Sequence, residues 1–305
     1  MKNFFIINPI AGHGKAIEVV DQEIAKVSEA VKRENDFTII HTHHPGDGTE
    51  ICKEICEENK NEIINVFACG GDGTCFEVLN GIVGYNNVRF GMLPVGSCND
   101  FLKTFNEYDF LNIENQLNGE TIDVDVIKVN NEYIINVANF GFDARANADQ
   151  LKFRKKFKSV KKAYNYALFR NIISPKLGDK VSVKVDGENV FEGKMLLSAV
   201  ANAQYYGGGY KCAPLAKVND GLVDVVLVKK VSIITFARLV KYYKAGVHLN
   251  NPKFEKYVLF KTGKKVEIKA KNMLVASYDG EVRESQLYNI NVDDNKIKFI
   301  IPCAK

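Results

Sequence analysis

Directly after the apolar run IINVFA, residues 69 to 74 read CGGDGT. Three glycines and one carboxylate at the end of a buried strand leave few folds open. A strand, a Gly-rich turn and a helix in that order form the place where α/β proteins hold phosphates, because glycine lets the backbone approach and turn its N–H groups onto an anion. A tight turn is the plainer reading, and the rest of the chain decides between the two.

The first 105 residues alternate strand and helix: KNFFIINP, GKAIEVVDQEIAKVSEAVKREN, FTIIHT, GTEICKEICEEN, IINVFACG, CFEVLNGIVG, VRFGMLPVG and CNDFLKTF. Ile17, Val20, Ile24, Val27 and Val31 recur at three and four residues, which predicts one long helix laying an apolar stripe on a sheet. The strands are continuously apolar, as when helices cover both faces of a parallel sheet. This predicts a doubly wound α/β domain over residues 1–124. Beyond it the rhythm changes to strands joined by turn dipeptides, Asn130-Asn131 and Asp186-Gly187 among them, with helical patches near 149–173 and 232–247. A β-sandwich over 125–290 is expected, with residues 291–305 returning to the first domain.

Composition narrows the class. The 305 residues are natural for two domains, and 46% hydrophobic with 26% charged residues is ordinary for a soluble protein. No apolar run of about eighteen residues is present to span a bilayer. MKNFFIINPIAG opens apolar, but Asn and Pro interrupt it and a charged periodic helix follows, so it is read as a first strand rather than a secretory leader. The cysteines, Cys52, Cys56, Cys69, Cys75, Cys98, Cys212 and Cys303, form no CxxC pair and read as core residues of a reducing cytosol. His41, His43 and His44 lack thiolates or carboxylates at zinc spacing and mark the polar end of a strand. A formal charge of +4 does not call for nucleic acid.

Four polar loops follow strands of the first domain: NPIAGHGKA, HTHHPGDG, CGGDGT and PVGSCNDF. At the carboxyl ends of an open α/β sheet such loops converge on one crevice, and their chemistry fits a nucleoside triphosphate. NPIAGHGKA lacks the P-loop spacing. A carboxylate among phosphate-binding amides repels the ligand unless a cation stands between, which assigns Asp72 to Mg2+; closing the turn by an Asx bond is its plainer role. Asn99 or Asp100 reads equally as a helix N-cap, and Asp123 and Asp125 as the start of a strand.

The blocks NPIAGHGKA, FACGGDGTCFEVLNG, GMLPVGSCNDF, NVANFGFDA, YYGGGYKCAPLAKVNDGLVDVVLV and YDGE occur in the order found in the diacylglycerol kinase catalytic-domain family, and the chain resembles its compact bacterial lipid kinases over essentially its whole length. The resemblance implies an ATP site from Asn8, Pro9, Ile10, Ala11, Gly12, Thr42, Gly70, Gly71, Asp72, Gly73, Thr74, Cys75, Phe76 and Ser97. Ser97 keeps the hydroxyl that the family's usual threonine supplies; Cys98 stands where Gly or Ala is common. Asp72, Asp100 and Asp125 match the family's Mg2+ network. A second, structural Mg2+ is implied at the Lys217 carbonyl, the Asp220 carboxylate and the Leu222 carbonyl, where an ordinary Asp-Gly turn is the alternative.

DGE occurs twice, at Asp186-Gly187-Glu188 inside an alternating hairpin and at Asp279-Gly280-Glu281. The family's catalytic glutamate matches Glu281, the expected general base toward an acceptor hydroxyl. The stretch 152–170 carries Lys152, Arg154, Lys155, Lys156, Lys158, Lys161, Lys162 and Arg170 with no acid, and Phe153, Phe157, Val160, Tyr164 and Leu168 at helical spacing. It reads either as a helix on an anionic membrane surface or as a solvated helix packed by its aromatic stripe. The expectation is an ATP- and Mg2+-dependent lipid kinase, cytoplasmic and peripheral on the inner face of the membrane. Its acceptor would be diacylglycerol, and relatives are often homodimers. An NAD kinase shares GGDGT, and a non-catalytic lipid-binding protein would keep the fold without turnover.

Overall fold

The computed structural model describes residues 1–96, 99–153, 157, 166–167, 170–171 and 178–303. The chain forms two compact units: Met1–Val126 with Glu132–Ile135 and Asp293–Lys305, and Ile127–Asn131 with Asn136–Val292.

The first unit opens with β1 (Lys2–Ile7), a short α1 (Ala11–Gly14), α2 (Ala16–Lys26), α3 (Glu29–Glu34) and β2 (Asp36–His41). It continues through α4 (Asp47–Glu58), β3 (Ile64–Gly70), α5 (Asp72–Ile82), β4 (Val88–Pro94), a 3-10 turn (Phe101–Phe105), α6 (Ile113–Leu117), β5 (Glu120–Val129) and β6 (Glu132–Ile134). β4, β3, β1 and β2 lie parallel in that order, as a doubly wound sheet requires, and every residue of β3 is buried. Lys298 and Phe299 near the C-terminus pair parallel with Arg89 and Phe90 of β4. Phe299 there meets Phe90, Phe101, Phe105 and Phe110.

The single long first helix expected from periodicity is two helices. Val27 and Ser28 are extended between α2 and α3. The cause lies far away in sequence: Glu114 accepts from the Ser28 amide at 2.8 Å and its hydroxyl at 2.9 Å, a stronger bond than a neutral pair would make. Val27 stays in the core through the break. Within CNDFLKTF, Phe101–Phe105 is likewise a 3-10 turn rather than an α-helix.

The second unit comprises β7 (Val137–Gly141), α7 (Phe142–Phe153), β8 (Asp179–Val185), β9 (Glu188–Ala201), β10 (Val223–Lys229), α8 (Ile233–Lys244), β11 (Val258–Gly263), β12 (Lys265–Tyr278) and the start of β13 (Glu281–Ile301). β9 and β12 each serve two layers. Their first halves pair with β8, and their second halves with β7. On β9 the handover falls at Leu196, between Met195, which pairs with Asp179 of β8, and Leu197, which pairs with Gly141 of β7. This is the β-sandwich, with β10 and β11 extending the layer that holds β7.

Of the basic stretch 152–170, most lies outside the described residues. Among those described, Phe153 and Phe157 pack their rings on Tyr166 at 4.9 and 5.3 Å, and the Arg170 guanidinium lies over the Phe153 ring.

Asp143 opens α7 inside the core. It accepts from the Tyr206 hydroxyl and, at 3.0 Å, from the Ala144 amide, yet burial outweighs these bonds and pushes its carboxyl up to about 6. The folded chain therefore holds this proton more tightly than the unfolded chain, where an Asp titrates near ~3.9. The group's contribution is fully present below that value and is lost as pH rises through about 6, a change of roughly 3 kcal/mol. Asp143→Asn is expected to remove that decline, giving urea midpoints that differ less between pH 4.5 and pH 7.5 than in the parent.

Candidate active site

The carboxyl ends of β1, β3 and β4 are tied together by backbone. The Asn8 amide donates to the Cys69 carbonyl at 3.1 Å, and the Gly96 amide to the Gly70 carbonyl at 2.9 Å. Two glycines make this closeness attainable. A Cβ on Gly96 would stand 2.3 Å from the Gly71 Cα and 2.5 Å from its nitrogen; one on Gly12, at φ 60, would stand 2.6 Å from the Val95 carbonyl oxygen. Both obstacles are main chain and cannot swing aside. Gly12 and Gly96 are therefore more than turn formers: with the CGGDGT turn they bring the three loops into one backbone-lined surface.

α5 starts from this surface. Gly71 is its N-cap and has no side chain with which to bond the first-turn amides, and the helix runs eleven residues, so those amides carry the positive end of a helix dipole. Asp72 sits in the first turn, and its Oδ1 accepts from the Asp100 amide at 2.9 Å, a bond between two loops rather than the Asx closure of its own turn. Asp100 does not cap the 3-10 turn with its side chain; its carboxylate pairs with Lys103. Asp125, buried on β5, pairs with Lys296 at 2.8 Å, and Asp123 with Lys298 at 3.4 Å. The structure thus joins Asp72 to Asp100 directly and anchors Asp125 to the returning C-terminal strand.

The remaining residues expected at a nucleotide site divide by what they present. The Asn8 side chain accepts from the Ile10 amide at 3.2 Å, shaping the loop from which Ile10, Ala11 and Gly12 follow, and Ile10 is 82% exposed. Thr42 continues β2 by donating its amide to the Ile7 carbonyl. Thr74, Cys75 and Phe76 are buried, so those three side chains serve the core of α5. Pro9 and Gly73 lie in the same two loops, and Ser97 lies outside the described residues. Glu77 was not anticipated from sequence. One helical turn past Gly73, its carboxylate accepts from the Gly46 and Gly48 amides at 2.8 and 3.0 Å and so fixes the loop that follows Thr42. The i, i+4 spacing from the glycine turn is its one sequence signal.

In the second unit the Asp220 carboxylate accepts from the Leu222 amide at 3.1 Å, and Lys217 lies three residues before it. Nearby Asp224 is buried, its Oδ2 has no hydrogen-bond partner, and burial with the neighbouring Asp220 charge pushes its carboxyl up to about 6. Two neighbouring carboxylates offer hard oxygen donors whose charge a divalent cation would neutralise. The residues fit the structural Mg2+. Asp72 and Asp100 likewise offer hard oxygen donors beside amides, which fits a phosphate-bridging Mg2+.

The two DGE segments have the same backbone. Asp186 and Gly187 stand at φ 49 and 85, Asp279 and Gly280 at φ 48 and 93, each a two-residue hairpin of the type with both central residues left-handed. Their surroundings differ. Asp186 is anchored to the Lys264 and Lys265 amides at the surface, and Glu188 pairs with Lys261 at 3.1 Å. Asp279 is buried and accepts from the Val137 amide at 3.0 Å, while Glu281 is half-exposed with Arg283 3.6 Å away.

Residues 2–129 match the family described as the diacylglycerol kinase catalytic domain, and residues 136–300 match the YegS C-terminal NAD kinase beta sandwich-like domain. The chain is similar to the diacylglycerol kinase of Bacillus subtilis (strain 168), with 29% identity over 282 residues covering 90% of this chain and 88% of that protein. A solved structure from Bacillus anthracis str. Sterne, provisionally named a diacylglycerol kinase, superposes with a TM-score of 0.76 at 25% identity over 99% of this chain and 98% of its own. An NAD kinase from Archaeoglobus fulgidus, solved in complex with ATP, shares the fold at a TM-score of 0.50 and 13% identity over 98% of this chain and 93% of its own.

Proposed function

The chain belongs to the diacylglycerol kinase family and is by that membership a lipid kinase, and from that premise we propose that it transfers the γ-phosphoryl group of ATP, with Mg2+, to the free hydroxyl of diacylglycerol. The single observation that carries the nucleotide half is the glycine-lined surface of Gly12, Gly70, Gly71 and Gly96 at the start of α5. Backbone amides there receive phosphate oxygens and the helix dipole favours their charge. Asp72 and Asp100, with Asp125, would hold Mg2+, which when bound offsets charge on the transferred phosphoryl group. Lys103 and Lys296 hold two of these carboxylates in place before the nucleotide arrives.

Glu281 is the base of this reading. Its carboxylate takes the proton from the acceptor hydroxyl as the oxygen bonds to phosphorus and the bond to ADP breaks. Glu188, the same residue in the same turn, is ion-paired on a surface hairpin. The structural cation at Lys217, Asp220 and Leu222 belongs to the same proposal, supported by the unpartnered Asp224 oxygen beside it. So does contact of the basic stretch 152–170 with an anionic leaflet, each basic residue adding about 1 kcal/mol. No helix among the described residues is long and apolar enough to cross a membrane. Vesicle sedimentation tests the contact, and binding indifferent to phosphatidylglycerol content and to salt counts against it.

The deciding experiment offers the purified protein labelled ATP with diacylglycerol and other lipid alcohols in mixed micelles, and with NAD, each with Mg2+ or EDTA. Label is expected in phosphatidic acid and only with Mg2+. Label in NADP would overturn the lipid reading, and none in any acceptor would favour a binding protein.

A further inference from the structure

Glu281 has little to hold it in place. Its side chain is 43% exposed and, among the described residues, the charged group that approaches it is Arg283, two residues along the same strand and 3.6 Å away. Its direction is therefore inherited from the backbone, above all from the peptide plane joining Gly280 to Glu281. That plane is gripped from α7: the Asn147 side-chain amide donates to the Gly280 carbonyl at 3.0 Å and to the Ser277 hydroxyl at 3.0 Å. Asp279 holds the preceding residue by accepting from the Val137 amide. The Asp186-Gly187 hairpin, identical in sequence and backbone, has an anchoring aspartate too, which accepts from the Lys264 and Lys265 amides at the surface. What distinguishes the turn that carries Glu281 is thus the amide from a helix.

We propose that Asn147 is a positioning residue that sets the direction of Glu281 through the Gly280 carbonyl, an inference that rests on Glu281 being the base. Losing this bond frees the peptide plane to rotate and moves the carboxylate from the hydroxyl it must meet. Small displacements of a reacting group are costly; about 1 Å corresponds to roughly 10²-fold in rate. In the proposed reading ATP is held by the loops of the first unit, so the loss is expected in kcat.

The test compares Asn147→Ala, Asn147→Asp, Ser277→Ala, Glu281→Gln and the double variant Asn147→Ala/Glu281→Gln in the micelle assay, with unfolding midpoints for each. Asn147→Ala is expected to lower kcat by about 10- to 100-fold with the KM for ATP within about twofold. Asn147→Asp keeps the shape but has no N–H for Gly280, so the same loss is expected, and it carries the test should the alanine variant unfold at assay temperature. Ser277→Ala, which leaves the Gly280 bond, is expected to stay within about threefold. On the Glu281→Gln background Asn147→Ala should cost nothing more, because its effect passes through the carboxylate. Turnover within twofold of the parent for both Asn147 variants, or losses that multiply in the double variant, would overturn the proposal. Full activity of Glu281→Gln alone would instead sink the base reading and needs no Asn147 variant to be seen.

Discussion

Glu281→Gln should lower the rate of lipid phosphorylation by about 10²- to 10⁴-fold, the usual contribution of a positioned general base, while ATP still binds. Glutamine keeps the size of the side chain and its acceptor oxygen, and loses the basicity. The turn beneath it is held by Asp279 and Asn147, neither of which the substitution touches, so the fold is expected to survive. Glu188→Gln is the internal control. It breaks a surface pair with Lys261 whose worth is about 0–1 kcal/mol, and turnover should stay within about twofold. Diacylglycerol turnover and ATP titration calorimetry together read the result. Comparable losses in both variants, or loss of ATP binding in Glu281→Gln, would remove Glu281 from the role.

The parts of this molecule that were legible from sequence are those in which local chemistry and burial agree. Continuous apolar runs between helical stretches become the parallel β1 to β4, and Asn130-Asn131 and Asp186-Gly187 become turns, with Asn130, Asp186 and Gly187 left-handed. What escaped the sequence reading is decided by partners far along the chain. The apolar period runs unbroken through Val27, and only Glu114, 86 residues beyond Ser28, says that the helix stops there. Periodicity reports which face is buried and not whether the backbone is continuous, so the stripe survived the break. The active-site reading met the same limit. Glycine spacing named the phosphate loops, but that Gly96 packs on Gly71 is a contact between loops 25 residues apart that no local signal carries. The two DGE segments make the point most sharply: they share sequence and backbone, and differ in having Lys261 or Asn147 as a neighbour.

The second large effect is expected at Asp72, and its sign reverses with the metal. Asp72→Asn keeps Oδ1 as the acceptor for the Asp100 amide, so the link between the two loops persists and the unfolding midpoint should move little. What disappears is one negative charge in the first turn of α5, where the amides would face the triphosphate. Without divalent cation that charge repels the nucleotide, and in EDTA the variant should bind ATP at least as tightly as the parent. With Mg2+ the charge holds the ion that the phosphates share, so the order should reverse, and kcat should fall by about 10²- to 10³-fold, the scale seen when one preorganised electrostatic contact is lost. A purely structural aspartate predicts neither the reversal nor the loss, because the asparagine satisfies the same hydrogen bond. ATP affinities measured for both proteins with Mg2+ and with EDTA therefore separate the two roles, and an unchanged order of affinity under the two conditions would take Asp72 out of the metal site.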